Sequence, residues 1–194
     1  MKLNSPAARR IGAATVAACT AILIPAVALA APGRTASASA AAASAAAPRC
    51  AAADLVVWAG VPASGAAGSF TYQLEMSNTS RHACSLYGYP GVSAVGTHGN
   101  QLGSAAIRSP SHPVRLITLG RGATAHVELR IADVTAYPAA ACHPVTASGL
   151  RVYPPNDFLA QYVPLPFRAC QKRGPRYLSV STTIGGTGIP LFSS

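Results

Sequence analysis

The segment FTYQLEMS, residues 70–77, decides the fold class of this chain. Every second residue from Phe70 to Met76 is apolar and the residues between them are polar, which is the period of a half-buried β-strand. The segment LVVW at residues 55–58 predicts a second strand, and the Gly/Ala/Ser-rich stretch between the two permits an antiparallel return. Together they predict a β-hairpin.

The rest of the chain repeats this pattern in shorter runs. Val127, Leu129 and Ile131 share one face of a strand predicted over residues 125–131. Further strands are predicted at residues 91–95, 114–119, 150–153, 158–163 and 177–181. No segment shows an apolar helical stripe with caps, so we expect an all-β, Ig-like antiparallel β-sandwich of about seven to nine strands. Trp58 is predicted to lie in its core.

Four cysteines follow the N-terminal leader, at positions 50, 84, 142 and 170. An even number in an exported chain predicts two disulfides, for which three connectivities exist. The first predicted hairpin returns the chain to its starting end, which places Cys84 beside Cys50. A second predicted hairpin, reversed by Pro154-Pro155-Asn156, brings Cys170 back to Cys142 in the same way. Strand direction therefore predicts Cys50–Cys84 and Cys142–Cys170.

The stretch HACSLYGYPG, residues 82–91, could be half of a metal or nucleophile site, or one end of such a bridge. We interpret it as the bridge end: His82 and Cys84 lie in the connection after a strand. The following Tyr87 to Gly91 are interpreted as a turn whose two glycines permit positive φ.

The N-terminus predicts export. Lys2, Arg9 and Arg10 precede an uncharged apolar run, and Ala28-Leu29-Ala30 supplies the small residues of a cleavage site, so residues 1–30 are predicted to be a signal peptide. Cys19 follows a weak lipobox, and its lipidation is the less favoured alternative.

Residues 31–49 predict an Ala/Ser/Pro-rich flexible spacer because they have no large apolar face to bury. Residues 50–194 remain as the folded domain. We expect a secreted or envelope-associated protein that meets the membrane only through its signal segment or a lipid on Cys19.

The charge is basic. The whole chain carries +10, and removal of the three cations of the signal leaves twelve Arg/Lys against five Asp/Glu, a net +7. The cations are scattered apart from Arg168, Lys172, Arg173 and Arg176, and no aromatic-rich nucleic-acid motif accompanies them. Nucleic acid is therefore not an expected partner, whereas an anionic cell-wall polymer is.

The residue types needed for catalysis are scarce. Five acidic residues give no confident carboxylate pair, and the histidines show neither an H-x-x-x-H nor an HExxH spacing. We expect no enzymatic activity, no catalytic residues, no cofactor and no metal site.

Several ordered blocks of the sequence resemble a known family. These are GAAGSFTYQLEMSNTSRHACSLYGYPGVSAV (65–95), HGNQLGSAA (98–106) and CHPVTASGLRVYPP (142–155), followed by Cys170. They resemble the actinobacterial domain of unknown function 4232 (DUF4232) over roughly residues 50–184. The resemblance implies an exported or lipoprotein-type β-sandwich and no particular activity.

Two non-enzymatic functions are expected from these observations. The first is an envelope binding module for a wall polymer or a partner protein, with the loop tyrosines Tyr137, Tyr153 and Tyr162 as ligand contacts. The alternative is a secreted protease inhibitor that presents a disulfide-supported loop at residues 143–149.

Overall fold

The computed structural model describes residues 46–189, and the side chains of residues 61–63 are outside that description. The predicted signal peptide (1–30), Cys19 and the part of the predicted spacer before residue 46 lie outside the described residues. Across residues 46–189, no helix combines the length and the apolar character needed to cross a membrane.

Strands dominate the described chain. The twelve strands are Leu55–Ala66 (β1), Ser69–Asn78 (β2), Cys84–Tyr87 (β3), Gly91–Val95 (β4), Gln101–Leu102 (β5), Ile107–Ser109 (β6), Leu116–Leu119 (β7), Thr124–Ala132 (β8), Pro144–Tyr153 (β9), Gln161–Cys170 (β10), Leu178–Ser181 (β11) and Ile184–Gly185 (β12). The described helical segments are short: the α-helix Ala139–Cys142 (α1) and the 3-10 helices Ala52–Asp54 and Val134–Ala136.

The strands form two main sheets that share one core. The six-stranded sheet has the order β1-β2-β8-β11-β6, with β12 paired to β8, and the four-stranded sheet has the order β10-β9-β4-β5. A two-stranded sheet, β3-β7, completes the domain. Leu74 and Leu129 of the larger sheet belong to the same buried hydrophobic cluster as Leu150 and Val163 of the smaller one, so the two sheets face each other as the layers of a sandwich.

The opening hairpin is confirmed. β1 and β2 pair antiparallel, with Leu55 opposite Asn78, and Leu74 and Met76 are fully buried as the alternation predicts. Phe70, close to the turn at residues 67–68, departs from the predicted alternation, since its side chain is 55 % exposed.

The all-β class is confirmed, but two details of the prediction were wrong. Twelve strands form instead of seven to nine; β5, β6 and β12 contain only two or three residues, and β3 lies in a stretch that was predicted to be a connection. The sandwich is also not wholly antiparallel, since β6 pairs with β11 in parallel. The Ig-like arrangement of the strands stays a prediction.

Trp58 is not in the core. Leu55 and Val57 are buried, so the alternation of β1 sends Trp58 to the outer face of the sheet, where it is 39 % exposed and lies opposite Glu75. Its indole N–H donates to Ser77 Oγ at 3.4 Å.

The outer face of the six-stranded sheet is covered locally by the C-terminal segment. Glu75 points to this face but is fully buried, and its Oε1 accepts a hydrogen bond from Gly188 N at 2.8 Å and one from Thr187 Oγ1 at 3.4 Å. A Cβ atom added to Gly188 would lie 2.6 Å from both Gln73 Oε1 and His126 Cδ2. A larger residue at position 188 would therefore displace the side chains of Gln73 and His126.

Candidate binding site

The β9–β10 hairpin runs between two ends of the sandwich, and each end carries one disulfide. Each strand has ten residues, which at about 3.3 Å per residue separates the ends by about 30 Å. Cys142–Cys170 lies at the end where β9 begins and β10 finishes, and Cys50–Cys84 lies at the other, near the hairpin turn. These are the pairs that strand direction predicts.

The hairpin turn is built by Pro154-Pro155-Asn156-Asp157. Asp157 N donates to Pro154 O at 3.0 Å, and Asn156 has a φ of 61°. Proline at the second position and positive φ at the third identify a type II turn. The side chain of Asn156 donates to Tyr87 O at 3.1 Å and so ties this turn to the end of β3.

Asp157 fixes the loop that follows the turn. Its Oδ1 accepts from Phe158 N at 2.6 Å and Leu159 N at 2.9 Å, and its Oδ2 accepts from Ala52 N at 2.5 Å. These backbone donors, Leu159 first, stabilise the carboxylate and lower the pKa of Asp157 below its usual value. Phe158 is held in this rigid loop and is 92 % exposed.

An aromatic cleft of about 550 Å³ lies beside this loop. Its aromatic walls are Tyr87 at the end of β3, Tyr89 in the following connection, Tyr153 at the end of β9, and Phe158. Three segments distant in the sequence therefore meet here, around residues 87–91, 108–114 and 153–158.

The cleft contains one cation over an aromatic ring. The guanidinium carbon of Arg108, on β6, lies 5.6 Å from the centroid of the Tyr89 ring. This distance is within the range of a cation–π interaction. Arg108 is exposed and lines the cleft.

Apolar surface continues beyond the cleft. Tyr87 is 51 % exposed and lies opposite Leu116, which is 60 % exposed, in the β3–β7 pair. Leu159, beside Phe158, is 65 % exposed. Tyr87 and Leu116 therefore present adjacent apolar side chains to solvent.

The three tyrosines predicted as ligand contacts do not come together. Tyr153 lines the aromatic cleft. Tyr162 lines a separate, smaller cleft with Arg151, and its hydroxyl donates to Ser148 O at 2.8 Å. Tyr137 is half-buried, and its hydroxyl donates to Arg176 O at 3.2 Å.

Tyr87, Tyr89 and Phe158 line the cleft but are not among the contacts predicted from the sequence. The first two were interpreted only as part of a turn, and Phe158 was assigned to a strand that in fact begins at Gln161. The available signal was an aromatic residue directly after a Pro-Pro-Asn-Asp turn, where a loop residue is normally polar.

The basic cluster lies at the opposite end of the hairpin from the aromatic cleft. Lys172 Nζ donates to Ala140 O at 3.0 Å, and Arg168 donates to Pro144 O at 3.4 Å, while Arg173 and Arg176 are exposed. These cations surround the Cys142–Cys170 end and form a solvated surface.

The segment predicted as an inhibitor loop is a strand. Residues 144–149 belong to β9, and Gly149 pairs with Val95 of β4 on one side and with Pro164 of β10 on the other. Ala147 and Gly149 are buried. A strand fixed in the middle of a sheet cannot enter a protease cleft, so that location for an inhibitor loop was wrong.

Over residues 46–189 the structure brings together no group of three or more His, Cys, Asp or Glu side chains that could hold a metal ion. His126 is hydrogen-bonded through Nδ1 to Gly186 O at 2.8 Å.

The fold and the two bridges define a disulfide-bonded, all-β domain with an aromatic cleft at one end. Residues 50–183 match the family described as "Domain of unknown function (DUF4232)", and the chain belongs to that family. No curated protein and no solved structure matches the chain.

Proposed function

We propose that this domain is a secreted, non-enzymatic binding module of the cell envelope that holds a cell-wall polymer in the aromatic cleft. The observation that carries the proposal is the exposure of Phe158 and Tyr87 around a concave surface that hydrogen bonds hold in shape. Exposure of an aromatic ring to water is unfavourable. Exposed rings are therefore common at sites where a ligand covers them. The two disulfides are consistent with an extracellular location.

The hydrogen bonds that fix the shape of the cleft favour ligand binding. The Asp157 hydrogen bonds and the Asn156–Tyr87 hydrogen bond fix two walls of the cleft before any ligand arrives. A preformed site loses little conformational entropy on binding, so a few ring contacts suffice for useful affinity. A long polymer can then add affinity through repeated engagement.

The test is co-sedimentation of the purified exported protein with insoluble cell wall. Phe158→Ala removes the most exposed ring of the cleft and is expected to weaken binding about tenfold, since stacking on one aromatic residue is worth on the order of 1–3 kcal/mol. Phe70→Ala is the matched control, because Phe70 is also largely exposed but lies on β2 and does not line the cleft. Failure of the protein to sediment, or equal binding by the two variants, would refute the proposal.

A second candidate function is protease inhibition by residues 156–160 rather than 143–149. The observation that favours it is the rigid, protruding Phe158, whose neighbouring N–H groups are held by Asp157. Stoichiometric inhibition of subtilisin or of a chymotrypsin-like protease, lost in Phe158→Ala, would support this function. Wall binding without inhibition would exclude it.

A further inference from the structure

The charges that line the aromatic cleft belong to Arg108 and Asp157. All five acidic residues of the chain lie within the described residues, and among them only Asp157 borders this cleft. Which of the two charges a ligand can use depends on what each group already contacts within the domain.

The carboxylate of Asp157 is already engaged. Both of its oxygens accept hydrogen bonds from the backbone, from Ala52, Phe158 and Leu159. These bonds tie the N-terminal 3-10 helix to the hairpin loop, so the role of Asp157 is to build the wall of the cleft. A cationic ligand would have to compete with three backbone donors for these oxygens.

Arg108 is placed differently. It is exposed on β6, the edge strand of the six-stranded sheet, and its guanidinium lies over Tyr89 at the cleft. A guanidinium carries five N–H donors in a plane, and a cation–π contact with a ring does not use those donors. The donors of Arg108 remain suited to pairing with a phosphate or a carboxylate.

We propose that Arg108 recognises an anionic group, phosphate or carboxylate, on the polymer that the cleft holds. The inference rests on the proposed function and specifies its ligand class: a glycan whose sugar rings stack on Phe158 and the tyrosines while an acidic substituent pairs with Arg108. A single-stranded nucleic acid also combines rings with phosphates, but its backbone needs a track of cations. Among the described residues that line the cleft, Arg108 is the one cation, and the basic cluster lies at the other end of the β9–β10 hairpin.

The experiment measures binding isotherms of the exported protein on three preparations of insoluble wall. One is untreated, one is stripped of phosphodiesters with hydrofluoric acid, and one has its carboxylates neutralised by carbodiimide coupling. Arg108→Met keeps an unbranched apolar side chain and removes the charge and the N–H donors. Arg176→Met, an exposed arginine of the basic cluster, is the matched control.

We expect Arg108→Met to bind untreated wall about tenfold more weakly than the unmodified protein, which is the usual effect of losing one charged hydrogen bond. The binding of this variant should also depend less on salt concentration. The affinity of Arg176→Met should stay within about twofold of that of the unmodified protein. The preparation on which the unmodified protein weakens to the level of Arg108→Met identifies phosphate or carboxylate as the anion. Near-ultraviolet circular dichroism confirms that each variant is folded.

Three outcomes would overturn the inference. The first is unchanged binding by Arg108→Met while Phe158→Ala loses binding, which leaves the proposed function standing with a neutral ligand. The second is full binding of the unmodified protein both to the wall stripped of phosphodiesters and to the wall with neutralised carboxylates. The third is tighter binding to a single-stranded oligonucleotide than to wall. Unchanged binding by Phe158→Ala refutes the proposed function itself.

Discussion

The side-chain amide of Gln161 occupies the place of a neighbouring strand beside Val57. Gln161 Oε1 accepts a hydrogen bond from Val57 N at 3.1 Å, and Gln161 Nε2 donates to Leu55 O at 2.6 Å. β1 is an edge of the six-stranded sheet and β10 is an edge of the four-stranded sheet. One side chain therefore satisfies the open backbone of β1 and links the two layers.

Replacing Gln161 with leucine is expected to lower the free energy of unfolding by about 2–3 kcal/mol, because three partly buried backbone hydrogen bonds, the third to Ala52 O, are lost. Urea denaturation followed by tryptophan fluorescence measures the change. Gln101→Leu is the control: this exposed amide makes one hydrogen bond, to Gly103 O, and the substitution should cost less than about 1 kcal/mol. Equal losses in the two variants would show that Gln161 does not link the sheets.

Asn78 fixes two turns from the end of β2. The residue is 1 % exposed; its Nδ2 donates to the backbone oxygens of His82, Leu119 and Gly120, and its Oδ1 accepts from Ser80 N. Asn78→Ala should lower the free energy of unfolding by about 2–4 kcal/mol, since the buried hydrogen bond to Leu119 O and the partly buried ones to His82 O and Gly120 O would be lost.

Ser80→Ala provides the comparison for Asn78. It removes a hydroxyl that donates to Asn78 Oδ1 and to His82 O but leaves the buried amide in place. Its expected cost is below about 1 kcal/mol in the same urea titration. A cost for Asn78→Ala as small as that for Ser80→Ala would contradict the anchoring role.

Local alternation made much of the fold predictable. The β1–β2 hairpin and the face of β8 follow from the period of two, and the disulfide pairs follow because each hairpin returns the chain to its starting end. The same alternation placed Glu75 on the polar face correctly, but it gave no sign that Thr187 and Gly188 would bury that face. Burial by a segment more than a hundred residues away leaves no local pattern.

The cleft was not predictable for the same reason. Tyr87, Arg108 and Phe158 lie on segments that only the tertiary fold brings together. Each segment by itself is a turn or a short strand with one aromatic or basic residue.

The position of Trp58 was also not predictable from its own segment. In the run LVVW either set of alternate residues could face the core, and the burial of Leu55 and Val57 places Trp58 on the outer face.

Gly149 allows β10 and Tyr162 to lie close to β9. A Cβ atom at this position would collide with Val163 O and would lie 2.8 Å from Tyr162 Cε2. Gly149→Ala is therefore expected to destabilise the domain by about 1–3 kcal/mol, because a backbone carbonyl cannot move aside as a flexible side chain can. The midpoint of urea unfolding measures this cost.

The matched variant is Gly120→Ala, in the connection between β7 and β8. Nothing lies within 4 Å of a Cβ atom added there, and the φ of Gly120 is outside the left-handed region. The substitution should change stability by less than about 1 kcal/mol and in the stabilising direction, because alanine restricts the unfolded chain. Similar losses at both positions would show that close packing at Gly149 is not the cause.

Asp157 makes the stability of the hairpin loop depend on pH. The hydrogen bond from Leu159 N, followed by those from Ala52 and Phe158, lowers the pKa of Asp157 below the unfolded value of 3.8. A carboxyl whose pKa is lower in the folded state contributes its full stabilisation above the unfolded pKa, and that contribution is lost as the pH falls through the folded pKa. Asp157→Asn should therefore be less stable than the unmodified protein at about pH 7, and the difference should shrink below pH 3.8.

Urea unfolding at both pH values measures this difference in stability, and NMR titration measures the pKa of the carboxyl. Asp157→Ala is the control that also removes the acceptor oxygens. A folded-state pKa at or above 3.8, or a stability difference that does not change with pH, would show that the backbone donors do not stabilise the charged form.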